Sequence, residues 1–148
     1  MSLTAKIIEI IPDVEYEGVV YEQRVVVALP TDTQIGLFDY DLHATSDMVG
    51  TKRQLSILAY MPTEVDVVMD SEPGIEPSNS NPRGWKHHTY RGLITQIDSD
   101  GTLVLDVGYG TVRVDSDVHE LVDTPLTEGQ FLRVQTNRSD LTGISDTA

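Results

Sequence analysis

Cysteine is absent from the 148 residues, which excludes disulfides and thiolate metal sites and points to a reducing compartment. Long apolar runs are absent as well. Residues 1–20, MSLTAKIIEIIPDVEYEGVV, are interrupted by Lys6, Glu9 and Pro12, and no window approaches the roughly 18 apolar residues of a membrane span. A soluble, cytoplasmic protein with no membrane partner is the expectation. Basic residues are scarce: 10 Lys and Arg stand against 24 Asp and Glu, for a formal charge of -14. Aromatics make up only 6% of the chain, with a single Trp, so each aromatic side chain carries unusual weight. No stretch has the extended 3.6-residue periodicity of a long helix, and there is no nucleophile elbow, phosphate loop or dinucleotide fingerprint.

The acids are present in quantity and spread evenly, without forming a tail. In this the chain resembles proteins of salt-in halophiles, the haloarchaeal type. At molar salt the screening length falls to about 3 Å, so a dense carboxylate coat is tolerated and keeps the protein soluble. In that setting a low isoelectric point does not exclude a nucleic-acid partner.

Short apolar segments punctuated by turn residues predict an all-β chain. Ala5–Ile11 reads as a strand ended by Pro12, Glu17–Gly18 as a turn, and Gln23–Leu29 as a buried strand closed by Pro30. Gln34–Leu42 alternates, with Phe38, Tyr40 and Leu42 on one side and Asp39 and Asp41 on the other. A helical turn before Gly50 leads into Arg53–Met61, with Leu55, Ile57, Ala59 and Met61 inward; Pro62 ends it, and Glu64–Met69 is a fifth strand. The second half restarts: Tyr90–Ile97 meets Thr102–Val107 across the four-residue turn Asp98–Gly101. Thr111–Asp115, Phe131–Thr136 and Leu141–Ile144 follow, with an irregular stretch from Asp117 to Leu126.

Residues 70–83 carry Pro, Gly, Ser and Asn without periodicity and read as a loop between an N-terminal lobe (1–69) and a C-terminal lobe (84–148), which together can form one compact domain. The halves share an outline, with Met48–Lys52 before the strand at Leu55 matching Leu126–Gln130 before the strand at Phe131. Five short strands with a turn between the third and fourth resemble the OB-fold. The resemblance implies small barrels, two similar five-stranded lobes or one larger one, with ligands crossing the faces of the second and third strands.

One region has no acid at all, Pro77 to Ile97, and it contains NPRGWKHHTYR. Trp and Tyr interleaved with Arg and Lys suit single-stranded nucleic acid, since bases stack on aromatic faces while cations follow phosphates. Arg83, Trp85, Lys86, His88, Tyr90 and Arg91, with Tyr109 and Arg113 from the following strands, are therefore the candidate ligand-binding residues; Arg133 and Arg138 are expected toward the same face. The same composition suits a subunit interface, enriched in Trp, Tyr and Arg and depleted in acids. A third reading is a small-molecule binder or enzyme in a cleft between lobes. No catalytic set, cofactor or metal site is implied. His87 and His88 are adjacent and point to opposite faces of a strand, His119 lacks the second His of a zincin helix, and Asp98–Gly101 lacks the flanking helices and closing Glu of a calcium loop.

Overall fold

A computed structural model of the chain describes residues 2–69, 72–77 and 87–145. Nine strands make up most of it: β1 (Leu3–Tyr16), β2 (Val19–Ala28), β3 (Gln34–Asp39), β4 (Lys52–Val68), β5 (Gly74–Glu76), β6 (His88–Ile97), β7 (Leu103–Asp106), β8 (Thr111–Val114) and β9 (Phe131–Ser145). A 3₁₀ turn at Ser46–Met48 lies between β3 and β4, and a 3₁₀ helix at Ser116–Leu121 lies between β8 and β9. The protein is all-β, as the alternating and β-branched segments predict.

All nine strands belong to one sheet, and its hydrogen bonds close on themselves. The long strands β4 and β9 run antiparallel from Gln54↔Ser145 to Val68↔Phe131 and form its spine. On one half of this spine, β1 pairs with β4 (Leu3↔Leu55) and β3 runs parallel to β9 at Phe38↔Asp140, completing the ring β1–β2–β3–β9–β4. On the other half, β6 pairs with β9 (Tyr90↔Val134) and β8 runs parallel to β4 at Ala59↔Val114, completing the ring β6–β7–β8–β4–β9. The architecture is barrel-like. Each ring takes four strands from one half of the sequence and its fifth from the long last strand of the other.

The two rings repeat one another in register. Leu3↔Leu55 and Lys6↔Lys52 correspond to Tyr90↔Val134 and Leu93↔Phe131. Ile7↔Val27 corresponds to Ile94↔Leu105, and a register shift follows at the same place in both, before Glu9↔Val26 and Gln96↔Val104. Gly50 N–H donates to Ile7 O at 2.7 Å and Gly129 N–H to Ile94 O at 2.8 Å. Both glycines have positive φ, +87° and +92°, which side chains disfavour. Gly50 therefore matches Gly129, one position away from the correspondence expected from the sequence outline.

Inward side chains of both rings join one hydrophobic cluster, including Ile7, Val25, Leu37, Leu55 and Ile57 on one side and Ile94, Leu103, Leu105, Val112 and Leu132 on the other. Each fully buried side chain of this size stabilises the fold by about 1.5–3 kcal/mol before the entropy of ordering is subtracted.

Several expectations change. Pro12 and Pro62 do not end strands. Pro12 lies where β1 has β2 as its neighbour and no longer pairs with β4, so its missing donor interrupts no second ladder. Pro62 sits at a register shift in the β4–β9 ladder, beside Met61 at φ 55°. The expected separate strands Glu64–Met69 and Leu141–Ile144 are thus continuations of β4 and β9. Met61 is 40% exposed, not inward. In β3 the buried side is Ile35, Leu37 and Asp39, while Tyr40 is 63% exposed. Within the stretch read as a loop, Gly74–Glu76 is a strand on the edge of β6. The Asp98–Gly101 turn is as expected: Asp98 N–H donates to Thr102 O and Gly101 N–H to Asp98 O, both at 2.9 Å.

Candidate functional site

Arg83, Trp85 and Lys86 lie outside the described residues. The other residues of the expected site are divided between the core and the surface. His88 and Tyr90 sit on the inward face of β6 and are fully buried. The Ser139 hydroxyl on β9 bridges them, 2.6 Å from His88 Nδ1 and 2.5 Å from the Tyr90 hydroxyl. Burial pushes the Tyr90 phenol far above its usual range, and the Ser139 hydrogen bond only partly opposes this. A fully buried ring offers no face to a base, and a fully buried Ser–His pair offers none to a substrate; this network joins β6 to β9 inside the molecule.

Arg91 faces outward, opposite Arg133 across the β6–β9 ladder, and each is paired with an acid. Arg91 holds Glu76 of β5, and Arg133 donates to Asp66 of β4 at 2.8 Å. Arg91, within the acid-free segment, and Arg133 beside it are thus neutralised by carboxylates from neighbouring strands. The Tyr109 hydroxyl accepts from Ile75 N–H at 3.1 Å, and burial raises its pKa. Arg113 donates to Thr142 Oγ1 at 3.0 Å. The eight expected residues do not form one open basic face among those described.

Two other features do open to solvent. The first is a cleft of about 450 Å³ where β2, β3 and β9 meet, lined by Glu22, Phe38, Tyr40, Asp41, Arg138 and Asp140 among others. The Arg138 guanidinium lies 5.0 Å from the Phe38 ring centre and 4.6 Å from that of Tyr60, and it grips Asp140 in a fork at 2.7 and 2.9 Å. Register explains the grouping: Phe38 opposes Asp140 and Tyr60 opposes Arg138, so four side chains from three strands share the outer face.

The second feature is apolar. Beyond the ring, β1 and β2 continue as a two-stranded arm closed by Glu17 and Gly18, both at positive φ, a two-residue turn matched to strand twist. On this arm Val14, Tyr16, Val19 and Tyr21 are 44%, 65%, 51% and 54% exposed. Below it, between the arm and residues 42–49, lies an apolar opening of about 660 Å³. Ile8, Ile10, Val20, Leu42 and Val49 line it, and among the described residues Glu9 is the only charged one in its wall. Asp39 fixes its floor: the carboxylate accepts from Gln23 Nε2 (2.8 Å), His43 N–H (2.8 Å) and Ala44 N–H (2.9 Å).

Sequence reasoning passed over both features. Phe38, Tyr40, Arg138 and Asp140 are close only through strand pairing, and the only local signal was the alternation of Phe38 with Tyr40. The arm gave no local sign beyond its turn, since Val14, Tyr16, Val19 and Tyr21 directly adjoin the apolar segments that enter the core. Among the described residues no cluster of His, Asp or Glu is arranged to hold a metal ion, and no helix is long and apolar enough to cross a membrane. No protein-family model matches the chain, and no curated protein matches it closely enough to count as a relative.

Proposed function

We propose that the chain is a non-catalytic binding module that holds a partner protein on the β1–β2 arm and the apolar opening beneath it. The observation that carries this reading is the concentration of exposed apolar side chains. Val14, Tyr16, Val19, Tyr21, Leu42 and Val49 all belong to the arm or to the β3–β4 connection beside it. Exposed apolar side chains grouped in this way are characteristic of protein interfaces, and Tyr is favoured at their centres. Two further features support it: no cation among the described residues lies in the wall of the opening, and the described arginines are largely taken up by acids. The acidic coat fits a protein working at molar salt, where apolar contacts gain relative to charge pairing.

The test is a photo-crosslinking amino acid at Tyr21, with Val67, which is 49% exposed on β4, as the control position. The reading predicts one discrete adduct from Tyr21 that Val19→Ser abolishes, and a stable heterologous complex when the adducted protein is purified and recombined. Equal labelling from Val67, or no recombined complex in sedimentation, counts against it.

A second reading is favoured by the Arg138 cleft. The strand order and the turn between β3 and β4 resemble an OB-fold, and an outer face presenting Tyr40, Phe38, Tyr60 and Arg138 suits stacked bases of single-stranded nucleic acid. The surrounding Glu22, Asp41 and Asp140 weigh against phosphate there, which is why it stands second. Anisotropy of a labelled oligothymidine at high salt tests it: saturable binding lost in Tyr40→Ala supports it, and unchanged anisotropy removes it.

A further inference from the structure

The internal repeat contains its own comparison for the apolar opening. At the corresponding end of the second ring, the 3₁₀ helix Ser116–Leu121 buries Val118 completely in the core cluster, and it packs against β4. His119 Nε2 lies 2.8 Å from Gly101 O, tying that helix to the β6–β7 turn, which follows directly after Ile97. At the first ring Ile10 is the register equivalent of Ile97, but there the strands run on as the arm. The 3₁₀ turn Ser46–Met48 buries none of its own residues. One ring end is plugged by a fully buried aliphatic side chain, whereas the equivalent end is closed only in part, by Ala44 and a partly buried Met48, and an apolar opening of about 660 Å³ remains beside them.

We infer that the first ring's opening receives a plug from the partner protein: a short helical turn presenting one or two aliphatic side chains, flanked by Lys or Arg. The inference rests on the protein-binding reading above and specifies the element that binds. Shape comes from the repeat, since the second ring is closed by an aliphatic residue on a single 3₁₀ helix. Charge comes from the rim. Glu9 stands in the wall, Glu15 and Glu17 lie along the arm, and Asp47 lies in the β3–β4 connection. Arg24, at the base of the arm where β2 still pairs with β3, is taken up by Asp13, and Arg53 interacts with Asp47. Cationic flanks therefore complement this rim. A second copy of the chain fits worse, because a two-fold contact through this face would bring the same acids of two chains, each carrying -14, against one another.

The probe is a capped peptide with the sequence of residues 116–122 in which Asp117 and Glu120 are replaced by lysine, titrated into the full chain and followed by backbone amide shifts. The expected result is saturable shifts confined to residues 8–10, 20 and 42–49, with a dissociation constant of ~1 mM, as befits one or two aliphatic anchors. At low ionic strength, where charge is little screened, the unmodified acidic peptide should bind about tenfold more weakly, a difference of ~1.4 kcal/mol. Val49→Lys, a change at a residue 43% exposed, should abolish the shifts while the remaining amide spectrum keeps the parent pattern. Equal binding by the acidic peptide overturns the charge assignment. No shift with the lysine peptide overturns the plug, even when crosslinking at Tyr21 still yields a partner. Shifts at these residues caused only by an apolar dye such as anilinonaphthalene sulfonate overturn it in favour of a small-molecule site. Shifts that depend on the chain's own concentration overturn it in favour of self-association.

Discussion

Asp39 joins the fold to the proposed site. Replacing it with Ala removes the acceptor of three hydrogen bonds at once, those from Gln23 Nε2, His43 N–H and Ala44 N–H at 2.8–2.9 Å. The Gln23 amide keeps one alternative, since it also donates to Ala44 O at 2.8 Å, whereas the two main-chain donors lose the partner that faces them. Leaving a buried donor unmet costs about 1–3 kcal/mol, so two full losses and one partial loss, eased by water entering the space, amount to about 3–5 kcal/mol. In a chain of this length that lowers the thermal midpoint by about 10 °C. Asp39→Asn, which keeps the shape but turns an amide N–H₂ toward N–H groups, should fall between the parent and the alanine variant. Denaturant unfolding at fixed salt is the assay, read as a lower midpoint at unchanged slope. Faster amide exchange over residues 40–49 should accompany it, because these bonds anchor the floor of the apolar opening to β2. A loss below about 1 kcal/mol, or no change in exchange there, would refute the role given to Asp39.

Further outcomes are expected elsewhere. Arg138→Ala should cost about 1–3 kcal/mol, since it removes cation–π contacts with Phe38 and Tyr60 and the fork to Asp140, and Arg138→Lys should recover less than half in the same unfolding assay. Burial, and then the neighbouring Asp117, raise the pKa of Asp115 above 3.8, so the folded state binds the extra proton and this residue's contribution to stability falls as pH rises through the folded pKa. Asp115→Asn should accordingly unfold at higher temperature than the parent at pH 7, with the difference closing as pH falls below the ordinary carboxylate value; an equal difference at both pH values contradicts this. Leu55→Ala, at a fully buried position on the shared strand β4, should cost about 2–5 kcal/mol and weaken amide protection in β6–β8 as much as in β1–β3. Retained protection in β6–β8 would mean that the rings unfold separately.

What was legible in the sequence was local. The Asp98–Gly101 turn, the valines of β2, and the alternation of Val112 with Val114 each follow from a few adjacent residues, and together they establish an all-β chain with a repeated outline. The exchange of last strands was not legible. It depends on β4 and β9 continuing past a bulge at Pro62 and through Arg138, and proline at an irregular ladder position has the same sequence appearance as proline at a strand end. Asp39 was placed with Asp41 on a polar face because a buried carboxylate is recognisable only by its donors, and these come from Gln23, His43 and Ala44. Arg91 and Arg133 were visible as cations, but the acids that neutralise them were not: Glu76 reaches Arg91 from β5, and Asp66 reaches Arg133 from β4. The exposed arm was missed for a different reason. Its apolar content is ordinary, and only the end of the ring beneath it makes those side chains surplus to the core.

The most direct test of the protein-binding role is amide hydrogen exchange on the full chain, alone and in complex with the purified protein crosslinked from Tyr21. The predicted result is slowed exchange in residues 8–22 and 42–49, with residues 87–97 and 131–136 unchanged. Slowing centred on residues 87–97, with the arm and the β3–β4 connection unaffected, would contradict it and return the interface to the acid-free segment.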